Sequence, residues 1–328
     1  MSFLAYFSGL FTNIQESVIL SLLRFVASST SKPPPCPFRT LSTIPSRDPN
    51  RSITAHIYAP TTSSAAPLPV LINWHAGGFV LPVHGQDAQF CSLLCETLKI
   101  VVIDAEYRKA PENRFPAALN DVEDVISWVC TRPEVYDITK IAFSGFSAGG
   151  NLALAASSHI KSFLCPPLSS TQIPHSLITF YPPTNKSVHY TLKSPPSTPI
   201  APTPPFIAAL LDKSYPGSEE AKSNPLVSPS LADPTSWNGI NMLVFTCDGD
   251  VLCKEADELV EGVLKADAEG GSEGRKRKLV LKRLEGVGHA FDKTAKMGSM
   301  AAGVRDEAYG MVVDFLREGF GLGVGSEK

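Results

Sequence analysis

Ser147, in the run Gly145-Phe146-Ser147-Ala148-Gly149, has the surroundings that a nucleophilic serine needs. A short apolar run, Ile141–Ser144, precedes it, and a small-residue segment of helical character follows it. A sharp turn from strand to helix holds such a serine in a strained conformation and exposes its Oγ, and only small neighbours allow the backbone to approach so closely. Because the string alone is common, its strand and helix context is what predicts a nucleophile here.

A second glycine-containing loop, His75-Ala76-Gly77-Gly78-Phe79, follows the apolar run of residues 67–74. Acyl transfer passes through a tetrahedral oxyanion, which preorganised N–H donors stabilise. Glycines allow backbone N–H groups to point inward without an obstructing side chain. We therefore expect Gly77, Gly78 and Ala148 to form an oxyanion hole, with His75 orienting the loop through hydrogen bonds rather than titrating in catalysis.

A serine nucleophile also needs a base and an acid that orients the base. His289 lies in a glycine-flanked loop, Gly286-Val-Gly-His-Ala-Phe291, after a predicted strand. Asp248 and Asp250 both follow another predicted strand, and Asp250 is favoured because it stands at the start of a helix. The sequence thus predicts Ser147, Asp250 and His289 as the catalytic residues.

Short apolar runs alternate with helical patterns along most of the chain, which predicts a mostly parallel α/β sheet with helices on both faces. The predicted strands are residues 67–74, 100–104, 140–144, 176–181, 242–246 and 278–282, and the predicted helices are 117–130, 148–158, 252–266 and 301–318. Residues 1–40 are expected to form N-terminal cap helices. Residues 41–328 are expected to form one catalytic domain, with a Pro/Ser/Thr-rich cap insertion around 182–234.

Composition argues against several classes of protein. The formal net charge of −3 gives no electrostatic basis for binding nucleic acid. The seven scattered cysteines form no CxxC pair, which favours reduced thiols in a cytoplasmic protein over disulfides or a zinc site. The apolar N-terminus lacks the pattern of a signal peptide and is interrupted by polar residues, so a helix pair over the enzyme is favoured over a membrane contact.

The motifs together resemble those of the hormone-sensitive-lipase-like esterases, the bacterial family IV type, and are similar to a fungal member. The resemblance extends over residues 67–320, and its most specific part is Val101–Leu119, which is similar to the family run YRLAPEHPFPAAL. It implies the α/β-hydrolase fold, ester hydrolysis through an acyl-enzyme, a helical cap, and no metal or organic cofactor. Two departures stand out: Ala76 replaces a glycine of the HGGG motif, and Phe146 precedes the nucleophile where the family has a small or polar residue.

The leading hypothesis is a carboxylesterase for a small hydrophobic ester, either a deacetylase or a lactonase of secondary metabolism, acting as a monomer or homodimer. Five aromatic residues are candidates to surround the substrate, with an ordinary core position as the alternative for each: Phe79, Phe146, Tyr181, Phe206 and Phe291. The Phe146 ring would either fill part of the acyl side or pack beneath the sheet. The alternatives are a small-molecule receptor and a dehydratase or cyclase on the same scaffold. Receptors of this type lose a catalytic residue, and a dehydratase would alter the nucleophile or the oxyanion loop, whereas both are intact here.

Overall fold

A computed structural model describes residues 3–30, 32–61, 66–164, 173–270 and 277–323, and side chains within the first helix from residue 16 to residue 29. Within these ranges eight strands form one sheet in the order β1-β2-β4-β3-β5-β6-β7-β8. The strands are β1 (Arg39–Pro45), β2 (Ser52–Tyr58), β3 (Leu68–Trp74), β4 (Val101–Ala105), β5 (Tyr136–Phe146), β6 (Ser176–Phe180), β7 (Asn241–Cys247) and β8 (Leu279–Leu284). β2 pairs antiparallel with β1 and β4, and the remaining pairs are parallel.

Helices pack on both faces of this sheet. They are α1 (Phe3–Thr30), α2 (Ala88–Leu98), α3 (Ala117–Cys130), α4 (Ala148–Ser158), α5 (Pro205–Ser214), α6 (Glu219–Lys222), α7 (Cys253–Glu269), α8 (Phe291–Thr294) and α9 (Met300–Gly319). Buried residues of α3, α4 and α7 join one hydrophobic cluster, and those of α2 and α9 join another. The predicted mostly parallel sheet with flanking helices is therefore confirmed.

The N-terminal segment differs from the expected helix pair, because it forms one helix, α1. No proline or glycine-rich turn interrupts residues 10–30, so nothing in the chain forces a break. The guanidinium of Arg24 attaches the helix to the body by donating to the Val80 carbonyl oxygen at 3.1 Å and to the carboxylate of Glu112. The side chains of residues 3–15 lie outside the described part of the chain. No helix in that part has the length and apolar character needed to cross a bilayer.

Residues 182–234, called the cap below, have little regular structure apart from α5, α6 and short 3₁₀ turns. Helix α5 contacts α1 through an ion pair between Lys213 and Glu16. It also contacts the loop after β3, where a Cβ added to Gly78 would lie 3.0 Å from a methyl group of Leu211. The insertion predicted to be a cap thus lies against both the N-terminal helix and the glycine loop.

Candidate active site

Ser147 stands at the turn between β5 and α4 with φ 49° and ψ −115°, a strained conformation for a residue with a side chain. The turn is possible because its neighbours are small. A Cβ on Gly149 would lie 1.9 Å from the Trp74 carbonyl oxygen, and one on Gly145 would lie 2.3 Å from the Gly149 carbonyl carbon. Tight packing of β3, β5 and α4 therefore fixes the serine at the carboxyl edge of the sheet.

A chain of hydrogen bonds connects the three predicted catalytic residues. Ser147 Oγ lies 2.9 Å from His289 Nε2, and His289 Nδ1 lies 2.6 Å from Asp250 Oδ2. A carboxylate at Nδ1 fixes the proton on that nitrogen, which leaves Nε2 able to accept the serine proton. Asp250 Oδ1 accepts the Leu252 N–H at 3.0 Å, and it is Asp250, not Asp248, that contacts the imidazole.

The electrostatics of this triad favour protonation of His289. Burial disfavours the charged imidazolium, but the Asp250 carboxylate outweighs that effect through its charge and its hydrogen bond. Asp292 adds a smaller contribution of the same sign. The pKa of His289 is therefore raised above its ordinary value, which suits a base that must hold a proton during the reaction.

The glycine loop after β3 adopts backbone conformations that favour glycine, with φ 110° at Gly77 and 59° at Gly78. A Cβ at Gly77 would lie 2.8 Å from the Leu81 carbonyl oxygen. Both glycines line the same cavity as Ser147. Ala148 is fully buried at the first turn of α4, where helix N–H groups have no partner within the helix.

His75 lies beneath this loop and is fully buried. Its Nδ1 is 2.5 Å from the Ala76 carbonyl oxygen, its Nε2 is 2.9 Å from Glu106 Oε1, and its ring stacks on Tyr107 with centroids 4.5 Å apart. Tyr107 donates its hydroxyl proton to the carbonyl oxygens of His75 and Ala76, each at 3.0 Å. Burial and the nearby Lys109 ammonium lower the pKa of His75. These contacts support the loop-orienting role predicted for it.

A cavity of about 430 Å³ opens above Ser147. Its wall combines apolar side chains with residues from the glycine loop, the cap and the loop of His289. Of the five aromatic residues predicted to contact substrate, only Phe79 lines it. Phe79 is held by stacking on Tyr215 at a centroid distance of 3.8 Å.

The other four aromatic residues are not among the described residues of the cavity wall. Phe146 is fully buried in the core, stacked on Phe180 at 4.5 Å, with the Lys293 ammonium 3.3 Å from its ring centroid. Tyr181 packs edge-on against His289 at 4.9 Å, Phe291 is buried beside it, and Phe206 is 60% exposed. Phe146 therefore lies in the hydrophobic core near the carboxyl end of β5, where its ring fills core volume.

Four charged residues of the cavity wall were missed by sequence reasoning: Lys186, Lys193, Asp212 and Lys293. No local motif marks them. Lys186 and Lys193 pair with carboxylates far along the chain, and Lys293 pairs with the distant Asp87 as well as with the adjacent Asp292. The Pro/Ser/Thr-rich composition of the cap pointed to loops and gave no signal for buried ion pairs.

One group of potential metal ligands occurs in the described part of the chain, at His56, His84 and Asp104, whose ligand atoms lie within 4.8 Å of one another. The two imidazoles are stacked, with centroids 4.2 Å apart and planes at 14°. Nearly parallel stacked rings cannot direct their in-plane lone pairs at one ion without rotating. The pair is better explained as partners of the buried Asp104 carboxylate, whose pKa is lowered because their electrostatic influence outweighs burial.

Comparison with known proteins finds relatives of the α/β-hydrolase fold, which agrees with the observed architecture. A sequence model of the α/β-hydrolase fold matches residues 71–293. An AB hydrolase superfamily protein of Schizosaccharomyces pombe is 30% identical over 232 residues, which are 69% of this chain and 65% of that protein. A versiconal hemiacetal acetate esterase of Aspergillus parasiticus is 38% identical over 85 residues, 26% of each protein. The chain thus spans less than two thirds of the length of these curated relatives.

Among solved structures, an esterase of the hyperthermophilic archaeon Pyrobaculum calidifontis superposes with a TM-score of 0.72 at 25% identity. The match covers 93% of this chain and 91% of that protein. Because it includes nearly the whole of both chains, the two proteins share one overall fold.

Proposed function

Because the chain belongs to the α/β-hydrolase-fold family and, by its motifs, to the hormone-sensitive-lipase-like branch, we propose that it is a carboxylesterase. The observation that carries the proposal is the continuous hydrogen-bond chain from Ser147 through His289 to Asp250, at the base of a mostly apolar cavity. The glycine loop beside Ser147 adds donors for the developing negative charge.

The reaction follows from these positions. His289 Nε2 takes the proton of Ser147 as Oγ attacks the ester carbonyl carbon. The N–H groups of Gly77, Gly78 and Ala148 stabilise the oxyanion that forms. The bond to the leaving oxygen then breaks, and that oxygen receives the proton from His289. Water repeats the sequence on the acyl-enzyme, releasing the acid and restoring Ser147.

The apolar wall and moderate volume of the cavity support an ester of a small hydrophobic molecule. The printed name of the Aspergillus relative, an acetate esterase, makes a short acyl group the first choice for this chain too. We propose that the protein acts as a deacetylase or a lactonase in secondary metabolism. Its cytoplasmic location and its monomeric or dimeric state remain predictions.

Two alternatives fit less well. A receptor on this scaffold would lack one catalytic residue, whereas Ser147, Asp250 and His289 are all present and hydrogen-bonded. A dehydratase or cyclase would be expected to alter the nucleophile or the oxyanion loop, whereas Ser147, Gly77 and Gly78 are all present and line one cavity.

The test is hydrolysis of 4-nitrophenyl acetate, butyrate and octanoate by the wild type and by Ser147→Ala. We expect the variant to lose a factor of about 10⁴ to 10⁶ in kcat, because removal of the nucleophile disables the triad as a unit. A fluorophosphonate probe should label the wild type and not the variant. Equal release by both proteins, or no labelling of the wild type, would refute the esterase proposal.

A further inference from the structure

Three lysines contribute to the cavity wall, and their ammonium groups are neutralised to different extents. Lys293 has two carboxylate partners, since its Nζ lies 2.5 Å from Asp87 Oδ1 and 2.7 Å from Asp292 Oδ2. Lys193 pairs with the carboxylate of Glu255. The positive charges of these two lysines are therefore met by carboxylates of the protein itself.

Lys186 differs because it shares its carboxylate with another lysine. Its Nζ lies 3.0 Å from Asp212 Oδ1, and the Nζ of Lys222 lies 3.6 Å from Asp212 Oδ2. The side chains of Lys186 and Asp212 are only 8% and 11% exposed. Lys222 also contacts Glu219, but that carboxylate is 82% exposed and is therefore screened by water. Asp212 is therefore the buried carboxylate that both ammonium groups approach, while the second carboxylate, Glu219, lies at the surface beside Lys222.

The Lys186 ammonium also has hydrogen-bonding capacity to spare. An ammonium has three N–H donors, and in the described part of the chain Asp212 is its hydrogen-bond acceptor. Burial lowers the pKa of Lys186, and the Asp212 carboxylate offsets that effect only in part. Because a buried donor without an acceptor costs free energy, a ligand oxygen at this position would be stabilised.

Backbone contacts fix the point at which the Lys186 side chain leaves the main chain. The backbone N–H of Lys186 donates to Ser228 Oγ at 2.8 Å, and that hydroxyl donates to the Lys222 carbonyl oxygen at 2.6 Å. The Lys186 Nζ lies 5.5 Å from the ring centroid of Phe79, which also lines the cavity. A ligand oxygen in the part of the cavity that Phe79 and Lys186 both line would therefore come within reach of the ammonium.

We propose that Lys186 forms a subsite for an anionic oxygen, a carboxylate or a phenolate, on a part of the substrate that is not cleaved. This inference rests on the proposed esterase function and extends it to a substrate class. The carbon skeleton of the substrate packs on the apolar part of the wall, which includes Phe79, Leu81, Ile207 and Leu211. The preferred substrate is then a hydrophobic ester with one negatively charged oxygen away from the scissile bond.

The test uses pairs of substrates that differ only in this charge. On the leaving-group side the pair is 4-acetoxybenzoate and 4-acetoxybenzamide; on the acyl side it is the mono-4-nitrophenyl ester of glutarate and of glutaric monoamide. Lys186→Met should lower kcat/KM for the anionic member of at least one pair by about 10- to 100-fold, the value of a charge-assisted hydrogen bond. The neutral member should lose less, so the anionic-to-neutral ratio of kcat/KM should fall.

Two further variants give the experiment its controls. Asp212→Asn removes the competing carboxylate and should raise the anionic-to-neutral ratio of kcat/KM, so the test remains valid if Lys186→Met fails to fold. Lys213→Met removes a half-exposed ammonium from the same cap, and should leave the ratio unchanged. Lys186→Arg, which keeps the charge, should retain the preference for the anionic member that Lys186→Met loses.

A binding measurement separates this proposal from the esterase proposal. In Ser147→Ala, 4-hydroxybenzoate and glutarate are compared with their uncharged amides, and a ligand that binds the folded state raises the melting temperature. If a carboxylate raises it more than its amide does, and Lys186→Met removes the difference, the subsite stands even without hydrolysis. If Lys186→Met changes neither this difference nor the kcat/KM ratio of either pair, the subsite is refuted, although Ser147-dependent hydrolysis persists.

Discussion

The sheet-and-helix body of this protein and its cap, residues 182–234, position their candidate functional side chains in different ways. In the body, Ser147, Asp250 and His289 follow β5, β7 and β8 at one edge of the sheet. Parallel pairing sets the register of these strands, so the loops that follow them meet at a defined place. Small residues then allow the close backbone approaches that the turns require.

In the cap, position depends on contacts between side chains that are far apart in sequence. Lys186 and Asp212 are separated by 26 residues, and Lys213 and Glu16 by 197. No steric demand on the backbone restricts such pairs to one residue type. The contrast suggests that backbone geometry positions the proposed catalytic residues, while ion pairs that leave no local motif position the proposed subsite at Lys186.

The largest effect is expected in the loop after β7, where Asp248 and Asp250 stand two residues apart and can be compared directly. Asp250→Asn should lower kcat by about 10³- to 10⁴-fold, because an amide at His289 Nδ1 no longer fixes the tautomer that accepts the serine proton. Asp248→Asn should leave kcat unchanged, since Asp250 makes the contact with the imidazole. The measurement is steady-state hydrolysis of 4-nitrophenyl butyrate; equal losses in both variants would mean that the loop, rather than one carboxylate, carries the effect.

The success of prediction from the sequence also differs between the body and the cap. The glycine loop, Ser147 and His289 were predicted because their turns demand small residues next to buried strands. β1 and β2 were missed because they pair antiparallel at the sheet edge, and the mixed exposure of their residues gives no continuous apolar run. The cap lysines were missed because a charge in a loop is ordinarily solvated.

Phe146 shows how a feature of the body can be misread as part of the pocket. Side chains alternate along β5, so Phe146 falls on the same face as Ala142, and both belong to the cluster beneath α2 and α9. Its place beside the nucleophile suggested contact with substrate, whereas the period of two along the strand directs its ring into the core. Strand alternation was the signal that could have located it.

A matched pair of phenylalanines tests this distinction across the two regions. Phe146→Ala should lower the free energy of unfolding by about 3–5 kcal/mol, because it opens a cavity among stacked rings in the core. Phe206→Ala, in the cap, removes a side chain that is 60% exposed and should change it by less than about 0.5 kcal/mol. Urea unfolding measures both. If Phe146→Ala instead keeps full stability and shifts the preference for acyl chain length, the residue belongs to the pocket.

The smallest expected effect concerns the pH dependence of kcat/KM. His289 must be neutral to accept the serine proton, and its pKa is raised chiefly by Asp250. Activity should therefore be full above that pKa and fall as pH decreases through it, with a midpoint above the value of about 6.5 of an unperturbed histidine. In Asp250→Asn the residual activity should show a midpoint at lower pH, because the charge that favours the imidazolium is gone. Lys213→Met, a cap variant, should keep the wild-type midpoint. If it moves the midpoint as far as Asp250→Asn does, the pKa of His289 is set by long-range charge in the cap and not by the hydrogen bond from Asp250.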